Sequence, residues 1–191
     1  MNFLAHIFLS GDDEDLMIGN FIADFVKGNK KNEYPQLIRK GIELHRSIDD
    51  FTDHHPVTSC SKKRLYPLQH KYAPVVVDIF YDHFLAKNFS RFSGIPLADY
   101  AGKTYETLWD RRKVMPPRVI QFLPYMIEQN WLLSYATLEG IERTLTGLGR
   151  RLAFENRLHQ ARVHLEADYA GYEQEFFEFF AQLITFVGPM R

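Results

Sequence analysis

The sequence predicts an all-α protein, and three observations carry the prediction. The apolar pattern is helical nearly throughout. Prolines and glycines fall at intervals of one helix length, rather than the roughly 8–12 residues of a sandwich or barrel. The one stretch with strand-like composition, "PVVVDIF", runs on into "YDHFLAKNF" without a breaker, and buried strands rarely extend that far.

Taken in order, residues 2–9 predict a short apolar helix. A second runs from about Asp13 to Lys27, with acidic residues in its first turn and Gly28 as its stop. A third starts near Pro35, a suitable first helical residue, and ends before Pro56. Pro67 divides 57–72 into two short pieces, and Pro74 opens the next long helix. Further helices are expected at 97–110, 117–134 and 137–151, with a long last one over 155–186. No repeat, linker or low-complexity tract interrupts this series, so residues 1–191 read as one helical domain.

Composition narrows the function classes. With 46% hydrophobic and 25% charged residues the chain suits one globular unit with a substantial core. A net charge of -1 argues against a nucleic-acid coat, and the one cysteine, Cys60, excludes an internal disulfide and fits a reducing cytosol. The opening "MNFLAHIFLSGDDEDLM" has no basic segment before its apolar run, which is too short for a membrane span, so a cytoplasmic protein is expected. The neutral total hides an asymmetry. No acidic residue lies between His54 and Val77, where Lys62, Lys63, Arg64 and Lys71 are found, whereas the last helix carries Glu166, Asp168, Glu173, Glu175 and Glu178.

Chemistry is suggested by polar residues in apolar company. In "GIELHRSIDDFTDHHP", His45 and Asp49 are four apart, so they share a helix face beside Leu44 and Ile48. His6 stands alone in "NFLAHIFL", Asp24 in "IGNFIADFVKG", and Asp78, Asp82 and His83 in "VVVDIFYDHFL", a helix apolar all round. A buried carboxylate is costly unless paired or metal-bound. One cation where these helices meet would remove that cost at every position, and mixed imidazole and carboxylate donors suit Mn²⁺, Fe²⁺ or Zn²⁺. Structural alternatives exist for each residue: a hydrogen-bonded core histidine for His6, ion pairs of Asp24 with Arg39 or Arg46, an i,i+4 pair of His45 with Asp49, and capping or pairing with Arg118 for Asp78 and Asp82. "DHH" at Asp53–His55 sits at a helix end rather than a strand end, so it is not a phosphoesterase fingerprint, and no P-loop, G-x-S-x-G or C-x-x-C is present.

The succession "MNFLAH", "GNFIADFVKGN", "GIELHRSIDDFTD", "DIFYDHFLAKNF" and "QNWLLSYATLEGIERTLTGLGRR" strongly resembles the acyl carrier protein phosphodiesterase family from Met1 to about Leu152. The resemblance implies a helical bundle distantly related to HD-domain phosphohydrolases, with altered motif order, since the adjacent pair reads Asp82-His83. It implies a Mn²⁺-dependent hydrolase, with Mg²⁺, Fe²⁺ and Zn²⁺ as alternatives, that removes 4′-phosphopantetheine from an acidic holo acyl carrier protein. By motif position, His6, Asp24, His45 and Asp82 become the expected metal ligands. Asp49 and His83 become further ligands, partners that support the ligands, or proton carriers, and Arg46 a phosphate clamp. Segments 27–40 and 62–71 and Arg111–Lys113 are the expected docking surfaces for the carrier. A metal phosphohydrolase acting on a nucleotide or other small phosphoester, and a non-catalytic helical binding protein, are the competing readings.

Overall fold

A computed structural model describes all 191 residues. Eleven α-helices joined by loops and short 3₁₀ turns make up its secondary structure, and there is no strand. They are α1 (Phe3–Leu9), α2 (Glu14–Ile22), α3 (Gln36–His54), α4 (Pro56–Gln69), α5 (Ala73–Lys87) and α6 (Leu97–Asp110). The second half holds α7 (Pro117–Glu128), α8 (Trp131–Ser134), α9 (Leu138–Arg151), α10 (Ala161–Ala167) and α11 (Tyr169–Val187).

Local signals explain most of these boundaries, and four expectations need correction, the first being that α2 stops at Ile22 and passes into a 3₁₀ turn over Ala23–Phe25 instead of running to Lys27. Asp13 caps α2 by accepting the Leu16 amide, and Pro56 occupies the first turn of α4. Segment 56–69 is one helix, not two pieces, because Pro67 lies in its last turn, where a single intrahelical bond is lost. The expected 117–134 helix breaks at Asn130, which takes a left-handed backbone (φ 46°) and offers its side chain to the Leu133 amide. The long last helix divides at Asp168, whose carboxylate lies 3.3 Å from Nε of Arg64 on α4.

The helices share one core of 48 buried apolar residues. Its centre is α5, packed between α1, α4, α9 and α11. That placement accounts for a sequence apolar on every side, and it buries Asp82 and His83 completely.

The site depends on the crossing of α2 over α3. A Cβ added at Gly41 would stand 2.1 Å from the Leu16 carbonyl oxygen, and one at Gly19 would stand 1.9 Å from that of Ile38. Backbone therefore packs on backbone, which brings His45, one turn beyond Gly41, under Asn20 and Asp24. Gly41→Ala must push the helices apart, at an expected cost of about 3 kcal/mol. Urea unfolding checks this, and a midpoint shift corresponding to less than about 1 kcal/mol would show that the crossing yields easily.

Candidate metal centre

Three elements each contribute one residue to a polar knot in this core. His6 comes from α1, Asn20 from α2 and His45 from α3. The two imidazoles stack, with ring centroids 3.8 Å apart and 15° between planes. Asn20 fixes their chemistry. Its amide nitrogen donates to the His6 carbonyl (2.7 Å) and to Ser10 Oγ (3.0 Å), so its side-chain oxygen must accept. Nδ1–H of His6 donates to that oxygen (2.9 Å), and Nδ1–H of His45 donates to the Asn20 backbone carbonyl (2.8 Å).

Both Nδ1 atoms thus carry protons, and both Nε2 atoms turn the other way, onto Asp49. Its Oδ1 is 3.2 Å from Nε2 of His6, and its Oδ2 is 3.1 Å from Nε2 of His45. The Met1 carbonyl oxygen, 3.2 Å from Nε2 of His6, and Oδ1 of Asp24, 3.3 Å from Nε2 of His45, complete a ring of acceptors. Two lone pairs facing four oxygens is a repulsive arrangement unless a positive charge lies between them. A proton supplies one such charge and a metal ion another. The donor atoms of His6, His45 and Asp49 lie within 4.8 Å of one another, which fits a cation held by two imidazoles and a carboxylate, each imidazole oriented through its far nitrogen.

Titration behaviour follows from the same contacts. Burial and the neighbouring charge of His45 push His6 down to about 4, outweighing the pull of Asp49. Burial also opposes the charge on His45, but hydrogen bonds to Asp24 and Asp49 prevail and raise it to about 9. Asp49 is held well below the carboxylate range: burial works against this, and its bonds to His45 and His6 outweigh it.

The structure therefore brings together His6, His45 and Asp49, with Asp24 on the rim, its side chain 68% exposed. It does not bring Asp82, His83 or Arg46 into this group. The Asp82 carboxylate accepts the amides of Leu4 (2.8 Å), Asn2 (3.3 Å) and Ala5 (3.3 Å) at the start of α1. Burial raises Asp82 to about 7, against the pull of the Met1 ammonium and those three amides. His83 lies between the Tyr135 carbonyl (2.7 Å) and the Tyr169 hydroxyl (2.6 Å). Arg46, about 100° around α3 from His45, is exposed and donates to the Val26 carbonyl at 3.4 Å. Asp78 faces the Met1 ammonium at 3.0 Å.

Sequence reasoning passed over Asn20. Its signal was present: apart from Asp24, it is the one side chain with hydrogen-bonding groups in "LMIGNFIADF". Beside the knot opens a cavity of 480 Å³ lined by Asp24, Asp49, Asp53 and Asp78, with Lys71 as its one basic side chain.

The sequence of the chain matches named relatives over nearly its whole length. A profile of the family described as acyl carrier protein phosphodiesterase matches residues 1–183. Acyl carrier protein phosphodiesterases of Escherichia coli O157:H7 (strain EC4115) and O139:H28 (strain E24377A) are each 31% identical to this chain over 186 residues, which is 97% of this chain and 96% of theirs. No solved structure matches the chain.

Proposed function

The chain belongs to the acyl carrier protein phosphodiesterase family, and from that premise we propose that it hydrolyses the phosphodiester joining 4′-phosphopantetheine to a serine of holo acyl carrier protein. The products are the apo carrier and 4′-phosphopantetheine. The observation that supports a metal-dependent reaction is the convergence of the Nε2 atoms of His6 and His45 on Asp49 at the edge of an open cavity. His6, His45 and Asp49 are the residues we assign to hold a divalent cation; their donors suit Mn²⁺, Fe²⁺ or Zn²⁺, and the family resemblance favours Mn²⁺ among these. When bound, such an ion lowers the pKa of water and offsets charge on a phosphate oxygen.

The surrounding residues divide the remaining work. Asp24, exposed beside His45, is placed to orient the attacking water and receive its proton. Lys71, on the cavity wall, is a cation available to the phosphate, in place of Arg46. Asp82 supports the site through α1, and His83 through the carbonyl of Tyr135. Of the three basic segments, 62–71 adjoins the cavity: Lys62 and Lys63 line a neighbouring hollow that shares Asp53 and Pro74 with it. We assign carrier docking to that segment, with affinity that falls as salt rises. No helix is long and apolar enough to cross a membrane, and we assign the enzyme to the cytoplasm.

Proton release accompanies metal binding under this reading. His45, raised to about 9, is protonated at neutral pH, and its proton occupies the position a metal needs. Binding near pH 7 should therefore release about one proton, and affinity should rise about tenfold per pH unit up to about pH 9, then level off. Calorimetric titration with Mn²⁺ in buffers of different ionisation enthalpy measures the release. Binding without it would remove His45 from the ligand set.

The reaction itself is tested by mass. Holo acyl carrier protein incubated with the enzyme and Mn²⁺ should lose the phosphopantetheine mass, and should keep it with EDTA or with Asp24→Ala. Intact carrier with every divalent metal would overturn the carrier reading and favour a small phosphoester substrate.

A further inference from the structure

A second, larger cavity of 610 Å³ opens from the first, sharing Asn2, Asp24, Val75, Leu148 and Leu152 with it. One wall is the face of α9 that presents Gly140, Arg143, Thr144, Gly147 and Arg151, spaced as one helical stripe. A Cβ at Gly147 would meet nothing within 4 Å, so this face borders open space. The opposite wall is aromatic. Phe122 stacks on Trp131 (6.0 Å, 4°) and touches Phe25 (5.4 Å).

The charge of this cleft is opposite to that of its neighbour. Arg118, Arg143 and Arg151 line it, and none of them lies within ion-pair distance of a carboxylate. Arg162, on α10, by contrast meets three, Glu139, Glu142 and Glu166. Three unpaired guanidinium groups around one hollow make a positive potential that favours an anion, and their forked donors suit phosphate. The volume lies within the range of small-molecule sites, and the flanking rings offer an apolar surface. Such a shape fits a slender chain with an anionic end better than a protein surface.

Resting on the family reading above, we infer that this cleft is the subsite for the phosphopantetheine arm, lying along α9. Leu148, in its last turn, and Leu152, just past its end, line both cavities, so the phosphate belongs at that end, beside Arg151 and Asp24. Gly140 packs against the Ser134 carbonyl of α8, so the other end of α9 adjoins Trp131, and the thiol end of the arm rests there with Arg143 alongside. Arg118, Arg143 and Arg151 are then residues that select for this substrate, and Trp131 reports its occupancy.

The chain has two tryptophans, and Trp109 is on the surface under Arg112, so Trp109→Phe leaves Trp131 as the only indole emitter. In that background, at fixed Mn²⁺, free 4′-phosphopantetheine should change the emission saturably. Pantetheine, lacking phosphate, should bind at least about tenfold more weakly. Arg143→Ala with Arg151→Ala removes two exposed side chains and should weaken phosphopantetheine binding by a similar factor while leaving the fold intact. A silent Trp131, or a response to apo carrier and not to phosphopantetheine, would overturn the assignment, the latter marking a protein-docking surface. Arm removal from the holo carrier alongside a silent Trp131 sinks only the cleft; failure of arm removal sinks the family reading on which it rests.

Discussion

Asp49→Ala should lower kcat/KM on holo acyl carrier protein by about 10³-fold or more, equivalent to ~4 kcal/mol of transition-state stabilisation. Asn20 Oδ1 meets both rings at Nδ1, and Asp49 is the side chain that joins them at Nε2: one oxygen faces each, at 3.2 and 3.1 Å. Without Asp49 the imidazoles stay stacked and anchored through Asn20, but they have no shared anionic partner, and the proposed cation site loses its carboxylate donor. Asp49→Asn sharpens the test. Its amide retains the shape and can donate to an unprotonated Nε2, so thermal stability should hold while Mn²⁺ affinity and turnover collapse. Calorimetric Mn²⁺ titration and single-turnover mass analysis read the two effects separately. Turnover within tenfold of the parent in both variants would remove Asp49 from the centre.

Asp82→Ala should act on stability first. The carboxylate is fully buried and takes three amides of α1, a seven-residue helix with no side-chain cap of its own. A helix start leaves its first amides without intrahelical partners, and here a residue some eighty positions away supplies them. Truncation strands those amides in the core and leaves a void, at a cost of about 3–5 kcal/mol, or a fall in Tm of roughly 10 °C. Because His6 is carried on α1, activity should fall as well, but the loss of stability should be present in metal-free protein. An unchanged metal-free Tm together with lost Mn²⁺ binding would instead return Asp82 to the role of ligand that its motif position implies.

The two aspartates show what one-dimensional reading can reach. Asp49 and His45 were legible as a pair, since a spacing of four on one helix fixes their common face without reference to the rest of the chain. Their place at the edge of the buried face was legible too, from Leu44 and Ile48 beside them: His45 is buried and Asp49 half-exposed. Asp24 and His6 were visible as polar residues in apolar runs, and the structure sets both against the same pair. Asp82 and His83 carried the same local signal, yet their partners are the amides of α1 and the Tyr135 carbonyl and Tyr169 hydroxyl. An isolated carboxylate in an apolar helix announces that it needs a partner, but does not say whether that partner is a cation, an amide or an arginine.

The helical class, most helix starts, the centrality of α5 and the membership of a family could be read along the chain, because periodicity, caps and prolines act within a few residues of one another. Helix ends at Asn130 and Asp168 could not, since each is held by contacts outside its own helix: the Tyr105 hydroxyl donates to Asn130, and Arg64 reaches Asp168. Which polar side chains converge is set by the packing of the helices. That choice depends on the direction of each side chain once the backbones of α2 and α3 meet at Gly19 and Gly41, and on Asn20 turning both imidazoles toward Asp49. These are angles and distances between segments far apart in the chain, and no local propensity contains them.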